Sequence, residues 1–92
     1  MPGARIELLE AFRYYEGQKA GLGRSFAQEV NQAVKGIVAH PLACPKHLAR
    51  TRRCRLHRFK YGIVYRVRET EIRILAVMHL HRRPGYWRGR GE

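Results

Sequence analysis

The chain has no aspartate and a single serine, Ser25. A Ser-His-Asp triad is therefore excluded, as is a two-metal nuclease centre built on aspartates. No G-x-x-x-x-G-K-S/T loop is present to cradle a phosphate. Only two cysteines occur, Cys44 and Cys54, and they form no C-x-x-C pair. In a cytosolic chain such cysteines read as two reduced, partly buried thiols. Zinc ligation by the cysteines with His47 or His57, or by His79-x-His81, lacks further ligands at a useful spacing. No metal and no cofactor is expected. No apolar run approaches the ~20 residues of a membrane span. Residues 1–12 alternate apolar residues with Arg and Glu, unlike a signal peptide. These features predict a cytoplasmic protein with no membrane partner. Any proton chemistry must fall to His, Arg, Lys, Tyr or Glu.

Positive charge is abundant and unevenly placed. Residues 1–49 carry a net +2 and residues 50–92 a net +10, together the +12 of the whole chain. Such asymmetry implies an acidic partner, and it carries no information about fold. Ninety-two residues with 45% hydrophobic content form a single domain over residues 1–92 with one modest core.

The spacing predicts a first helix over Ala4–Lys19, with Ile6, Leu9, Phe12 and Tyr15 or Glu16 as its apolar stripe and Glu7, Glu10 and Arg13 on other faces. Gly21 and Gly23 mark a break. Ser25-x-x-Gln28 is a capping-box signature that opens, or sits in the first turn of, a second helix running to about His40, with Phe26, Val30, Ala33/Val34 and Ile37 as its stripe. Pro41 stops it. A loop over residues 41–51 leads to strands at Arg53–Phe59, Tyr61–Val67 and Ile72–His79. In the last strand, alternation puts Ile72, Ile74, Ala76 and Met78 on one face and Leu75 and Val77 on the other. Apolar residues on both faces predict a central strand covered on both sides. Pro84-Gly85 ends the fold before an aromatic-basic tail. The fold class is α+β, in the order ααβββ: a helical hairpin on a small antiparallel sheet.

The residues Tyr14-Tyr15-Glu16, Gly21-Leu22-Gly23, Phe26, Val30, Pro41, Arg53, Leu56, Arg58-Phe59, Tyr61, Ile63-Val64-Tyr65, Ala76-Val77, His79, Arg82-Arg83-Pro84, Tyr86-Trp87 and Arg90 run in order along nearly the whole chain. In this pattern the chain resembles the RelE/ParE toxin superfamily of type II toxin-antitoxin systems, also labelled plasmid stabilisation proteins. The glycine-flanked Leu22 and the tyrosine pair lie nearer the ParE-like branch. The family usually opens with a strand, and Met1-Pro2-Gly3 supplies none. An open sheet edge is then expected, taken by a partner or by a second copy as a homodimer.

The resemblance implies growth arrest by one of two routes, so whether the protein is an enzyme stays open. A ParE-like member inhibits DNA gyrase without hydrolytic chemistry. A RelE-like mRNA interferase cleaves messenger RNA on the ribosome, and here His79 and Tyr86 would carry protons while Arg82 met phosphate charge. Residues for target or nucleic-acid binding are Arg53, Arg55, Arg58, Arg66, Arg83, Trp87 and Arg88; Trp and Arg anchor many interfaces, and guanidinium grips phosphate in two-point fashion. The structural alternatives are a half-buried strand histidine at His79, and core-packing roles for Tyr86 and Trp87. In either route an acidic antitoxin neutralises the toxin and carries the complex to operator DNA. A plain nucleic-acid-binding module, tracking phosphates with Arg50, Arg52, Arg53, Arg55, Arg58 and Lys60, is the remaining reading.

Overall fold

A computed structural model describes residues 2–83 and 85–90. Helix α1 (Pro2–Gln18) and helix α2 (Leu22–Ala39) form a hairpin. Four strands follow: β1 (Lys46–His47), β2 (Thr51–Arg55), β3 (Tyr61–Arg68) and β4 (Glu71–His79). They make one antiparallel sheet in the order β1-β2-β3-β4. The α+β architecture is the expected one, with the short β1 added inside the expected loop. Among the described residues no strand precedes α1. Pro84, half of the expected terminator, lies outside the described residues.

The second helix behaves as its stripe predicts: Phe26, Val30 and Ile37 are buried. Its start places Ser25 in the first turn and not at the cap. The helix begins at Leu22 with Gly21 as N-cap, and Ser25 Oγ merely donates to Gly21 O. The capping oxygens come from α1 instead. Glu16 Oε2 accepts from Gly21 N–H at 2.8 Å and Glu16 Oε1 from Gly23 N–H at 2.9 Å. These bonds satisfy donors that a helix N-terminus leaves unpaired. Glycine is needed at both positions. Gly21 has φ 87°, and a Cβ on Gly23 would lie 2.6 Å from the backbone oxygen of Phe12.

The first helix buries a different face from the expected one. Ala4, Glu7 and Ala11 are buried, with Leu8 and Tyr15 packed beside the core, while Ile6 and Leu9 are 55% and 48% exposed. Small alanines let the helix approach closely, and the Glu7 carboxylate finds partners inside. A carboxylate so bonded can be buried where an unpaired one cannot.

The last strand also departs from simple alternation. Opposite Val64/Tyr65 the register shifts: Val64 faces Ala76, whereas Tyr65 faces Ile74. This bulge inserts one residue into β4 and reverses the phase of the faces beyond it. Ile72, Ile74 and Val77 therefore pack on the helix side, and Leu75, Ala76 and Met78 on the other. The expected cover on both faces is present, but among the described residues β4 is an edge strand of the sheet and not the expected central one. Helices lie on one face, and Trp87 from the tail lies on the other, packed with Val64, Leu75, Ala76 and Met78.

Candidate interaction surface

Cys44 and Cys54 are joined by a disulfide, contrary to the expectation of free thiols. Pro45 O accepts from Arg53 N–H at 3.1 Å, which draws the α2–β1 connection alongside β2. The two Cα atoms then lie 5.4 Å apart, well within disulfide range. Redox compartment, on which the sequence argument rested, does not see this proximity.

Beyond Arg53 no strand among the described residues lies beside the outer edge of β2, because β1 pairs only with Thr51 and Arg52. A groove of about 620 Å³ runs here between α2 and β1–β2. Ala33, Ile37, Leu56 and the disulfide give it apolar walls; Lys46, Arg53 and Arg55 give it positive charge; Glu29 is its carboxylate. Burial opposes ionisation of Glu29. Hydrogen bonds from Arg58 and from His57 N–H outweigh that and hold its carboxyl below the usual range.

The opposite sheet edge, β4, is closed by side chains. Glu7 Oε1 accepts from Val77 N–H at 3.1 Å and from Arg90 at 3.0 Å, and Arg90 also donates to Leu75 O at 3.1 Å. Tyr86 O–H donates to Glu7 Oε2, and Arg82 stacks 3.7 Å above the Tyr86 ring. Burial, then the Glu7 hydrogen bond and charge, push the Tyr86 phenol far above its ordinary range. Its proton is held, not offered.

The expected catalytic set is thus divided. Arg82 and Tyr86 meet at Glu7. His79, half-buried at the end of β4, packs against Tyr61 and His81, and its Nδ1 accepts from His81 N–H at 3.1 Å.

The expected binding set divides as well. Arg53 lies opposite Val64 and Arg55 opposite Gly62, which places both beside the Trp87 cluster while they also line the groove. Arg83 and Arg88 are exposed in the tail. Arg58 pairs with Glu29 at 3.0 Å and braces the β2–β3 turn. Arg66 is buried and donates to Ala49 O at 2.9 Å, holding the β1–β2 turn where Ala49 and Arg50 both take positive φ. Trp87 is fully buried and packs in the second core cluster. Its neighbour His47, 6.0 Å away between ring centres, is kept neutral by burial and by the charge of Arg53. His47 Nε2 and Trp87 Nε1 find no hydrogen-bond partner among the described residues. Sequence reasoning missed Glu7, Glu29 and the groove, since their partners lie tens of residues away. The one sequence signal was an acidic residue on each helix of a strongly basic chain.

A family model described as "ParE toxin of type II toxin-antitoxin system, parDE" matches residues 1–84. A solved structure described as "Chromosomal ParDE TA system from P. aeruginosa" superposes with a TM-score of 0.74 at 23% identity. The superposition covers 86% of this chain and 89% of that one, and at this identity it speaks for the fold. Among curated proteins none matches the chain.

Proposed function

The chain belongs to the family of ParE toxins of type II toxin-antitoxin systems, and from that premise we propose that it arrests growth in the cytoplasm by binding DNA gyrase. The observation that carries the choice of target is the state of Tyr86 and Arg82. RNA cleavage without metal needs a base, an acid and cations free to meet the reacting phosphate. Here the Tyr86 O–H donates to Glu7, and Arg82 is turned to Glu7 and to the Tyr86 ring. A target-binding toxin needs none of that chemistry. It needs exposed cations, which Arg55, Arg83 and Arg88 supply.

An acidic antitoxin segment is the neutralising partner, and it brings the complex to operator DNA. The α2–β2 groove suits it: backbone groups at the free edge of β2 offer strand pairing, and the basic lining matches its charge. With the β4 edge closed by Glu7 and Arg90, the β2 edge is also where a second copy would add.

Two assays on one purified sample test the target: gyrase supercoiling, and messenger RNA cleavage on programmed ribosomes. Gyrase inhibition with intact RNA is expected. Ribosome-dependent cleavage would overturn the choice and make His79, Arg82 and Tyr86 the residues to replace. Expression alone should stop growth, and co-expression of the neighbouring gene product should restore it. Normal growth at verified expression would sink the toxin reading and leave the fold intact.

A further inference from the structure

Both cysteines of the Cys44–Cys54 bond line the α2–β2 groove. Cys44 is half-buried and Cys54 is 9% exposed, so an incoming thiolate meets Cys44 first. The approach is electropositive: Lys46, Arg53 and Arg55 line it against the single carboxylate of Glu29. Such surroundings gather anionic thiols and stabilise a departing thiolate.

The connection that carries Cys44 is also held without its sulfur. Arg52 Nη1 donates to Cys44 O at 2.8 Å and to Leu42 O at 3.1 Å. Tyr65 O–H donates to Pro41 O at 2.7 Å, and Arg53 N–H donates to Pro45 O at 3.1 Å. Opened thiols would therefore stay close, and reclosure would be an intramolecular step at high effective concentration.

We propose that Cys44–Cys54 is a thiol–disulfide exchange site, opened by small thiols and closed by small disulfides that enter through the α2–β2 groove. In opening, a thiolate attacks Cys44 Sγ, the S–S bond breaks, and Cys54 leaves as a thiolate and takes a proton. A second thiol then attacks the mixed disulfide on Cys44, releasing a small disulfide and the Cys44 thiol. Two electrons and two protons pass from two small thiols to the protein. Closing runs in reverse, with a small disulfide as oxidant. Opening removes the covalent tie between β2 and the α2–β1 connection, so the groove wall loosens under reducing conditions. The proposal rests on the groove and not on the toxin's target.

The test uses the full chain, oxidised, in solutions of increasing glutathione. Free thiols are counted by mass after alkylation, while Trp87 emission and far-ultraviolet circular dichroism report the fold. Trp87 suits this because it is buried on the sheet face away from the helices. Expected is a reduction rate that rises tenfold for a tenfold rise in thiol, with glutathione first found on Cys44 and both fold signals native. A rate independent of thiol concentration, or a loss of Trp87 signal in step with reduction, would overturn the proposal and leave a structural staple. Two alkylatable cysteines in protein handled under oxidising conditions would overturn it as well.

Discussion

Glu7 shows how a residue that looks misplaced can organise a small core. It is 8% exposed on α1, yet its two oxygens serve Val77 N–H, Tyr86, Arg90 and, more loosely, Arg82 at 3.4 Å. Removing a buried charge that others depend on strands its partners. Glu7→Gln should cost about 3 kcal/mol, a fall of more than ~10 °C in Tm for a chain of this size, as read by thermal unfolding. An unchanged Tm would mean that the tail is not held by this carboxylate. Trp87→Ala should be worse, about 3–5 kcal/mol, because it empties the second core cluster. The pH profile follows from groups at this scale. His47 is held neutral, its pKa lowered from the usual 6.5 by burial and Arg53. In the unfolded chain it gains a proton below about pH 6.5, so stability falls as pH drops through that value. Glu29 and Glu16 are lowered from 4.5, and their contribution is lost on further acidification through their folded values. Tyr86 is raised, so its contribution is complete below the usual 10 and is lost above it. Unfolding midpoints in urea should therefore decline on both sides of a neutral plateau, and His47→Gln should flatten the first step below neutrality.

At the scale of elements, carboxylates from the helices do the work of caps and turn residues. Glu16 closes the N-terminus of α2 and Glu29 closes the β2–β3 turn, the latter through His57 N–H, Arg58 N–H and the Arg58 side chain. Glu16→Ala should lower stability as loss of a helix cap does, read by chemical denaturation. The two glycines of the interhelical turn should respond unequally. Gly21→Ala meets only left-handed strain, about 1 kcal/mol. Gly23→Ala drives a methyl into the Phe12 carbonyl and should lower stability further. If the two variants melted together, the helices would not be packed as closely as described. The stripe of α2 was legible because its apolar residues recur at a fixed period, whereas β2 lies at Thr51–Arg55, ahead of the expected Arg53–Phe59, and a bulge breaks the alternation of β4. The capping box placed the start of α2 to within a turn, and Gly21 and Glu16 set it.

For the whole molecule, the surplus of positive charge separates into cations that hold the fold and cations that face solvent. Arg52, Arg58, Arg66, Arg82 and Arg90 bind carbonyls or carboxylates of the chain itself. Arg55, Arg83 and Arg88 are exposed. Replacing these last three with alanine should leave stability within about 0.5 kcal/mol for each site. It should slow association with an acidic partner and reduce the salt dependence of that association. Stopped-flow binding at two ionic strengths checks this. A salt slope unchanged from the parent would place the docking charges elsewhere.

The sequence by itself determined the order of the elements, the buried stripe of α2, the concentration of charge after residue 50, and the family. Each of these is a matter of composition or of short-range period, which a chain carries whatever its neighbours. Tertiary structure decided which face of α1 turns inward, where the bulge reverses β4, that Trp87 fills a core, and that Cys44 meets Cys54. Those outcomes depend on groups far apart in sequence arriving within hydrogen-bonding or bonding distance, as Glu7 does with Tyr86 and Arg90. Spacing along the chain cannot specify such meetings, and packing of the folded chain does.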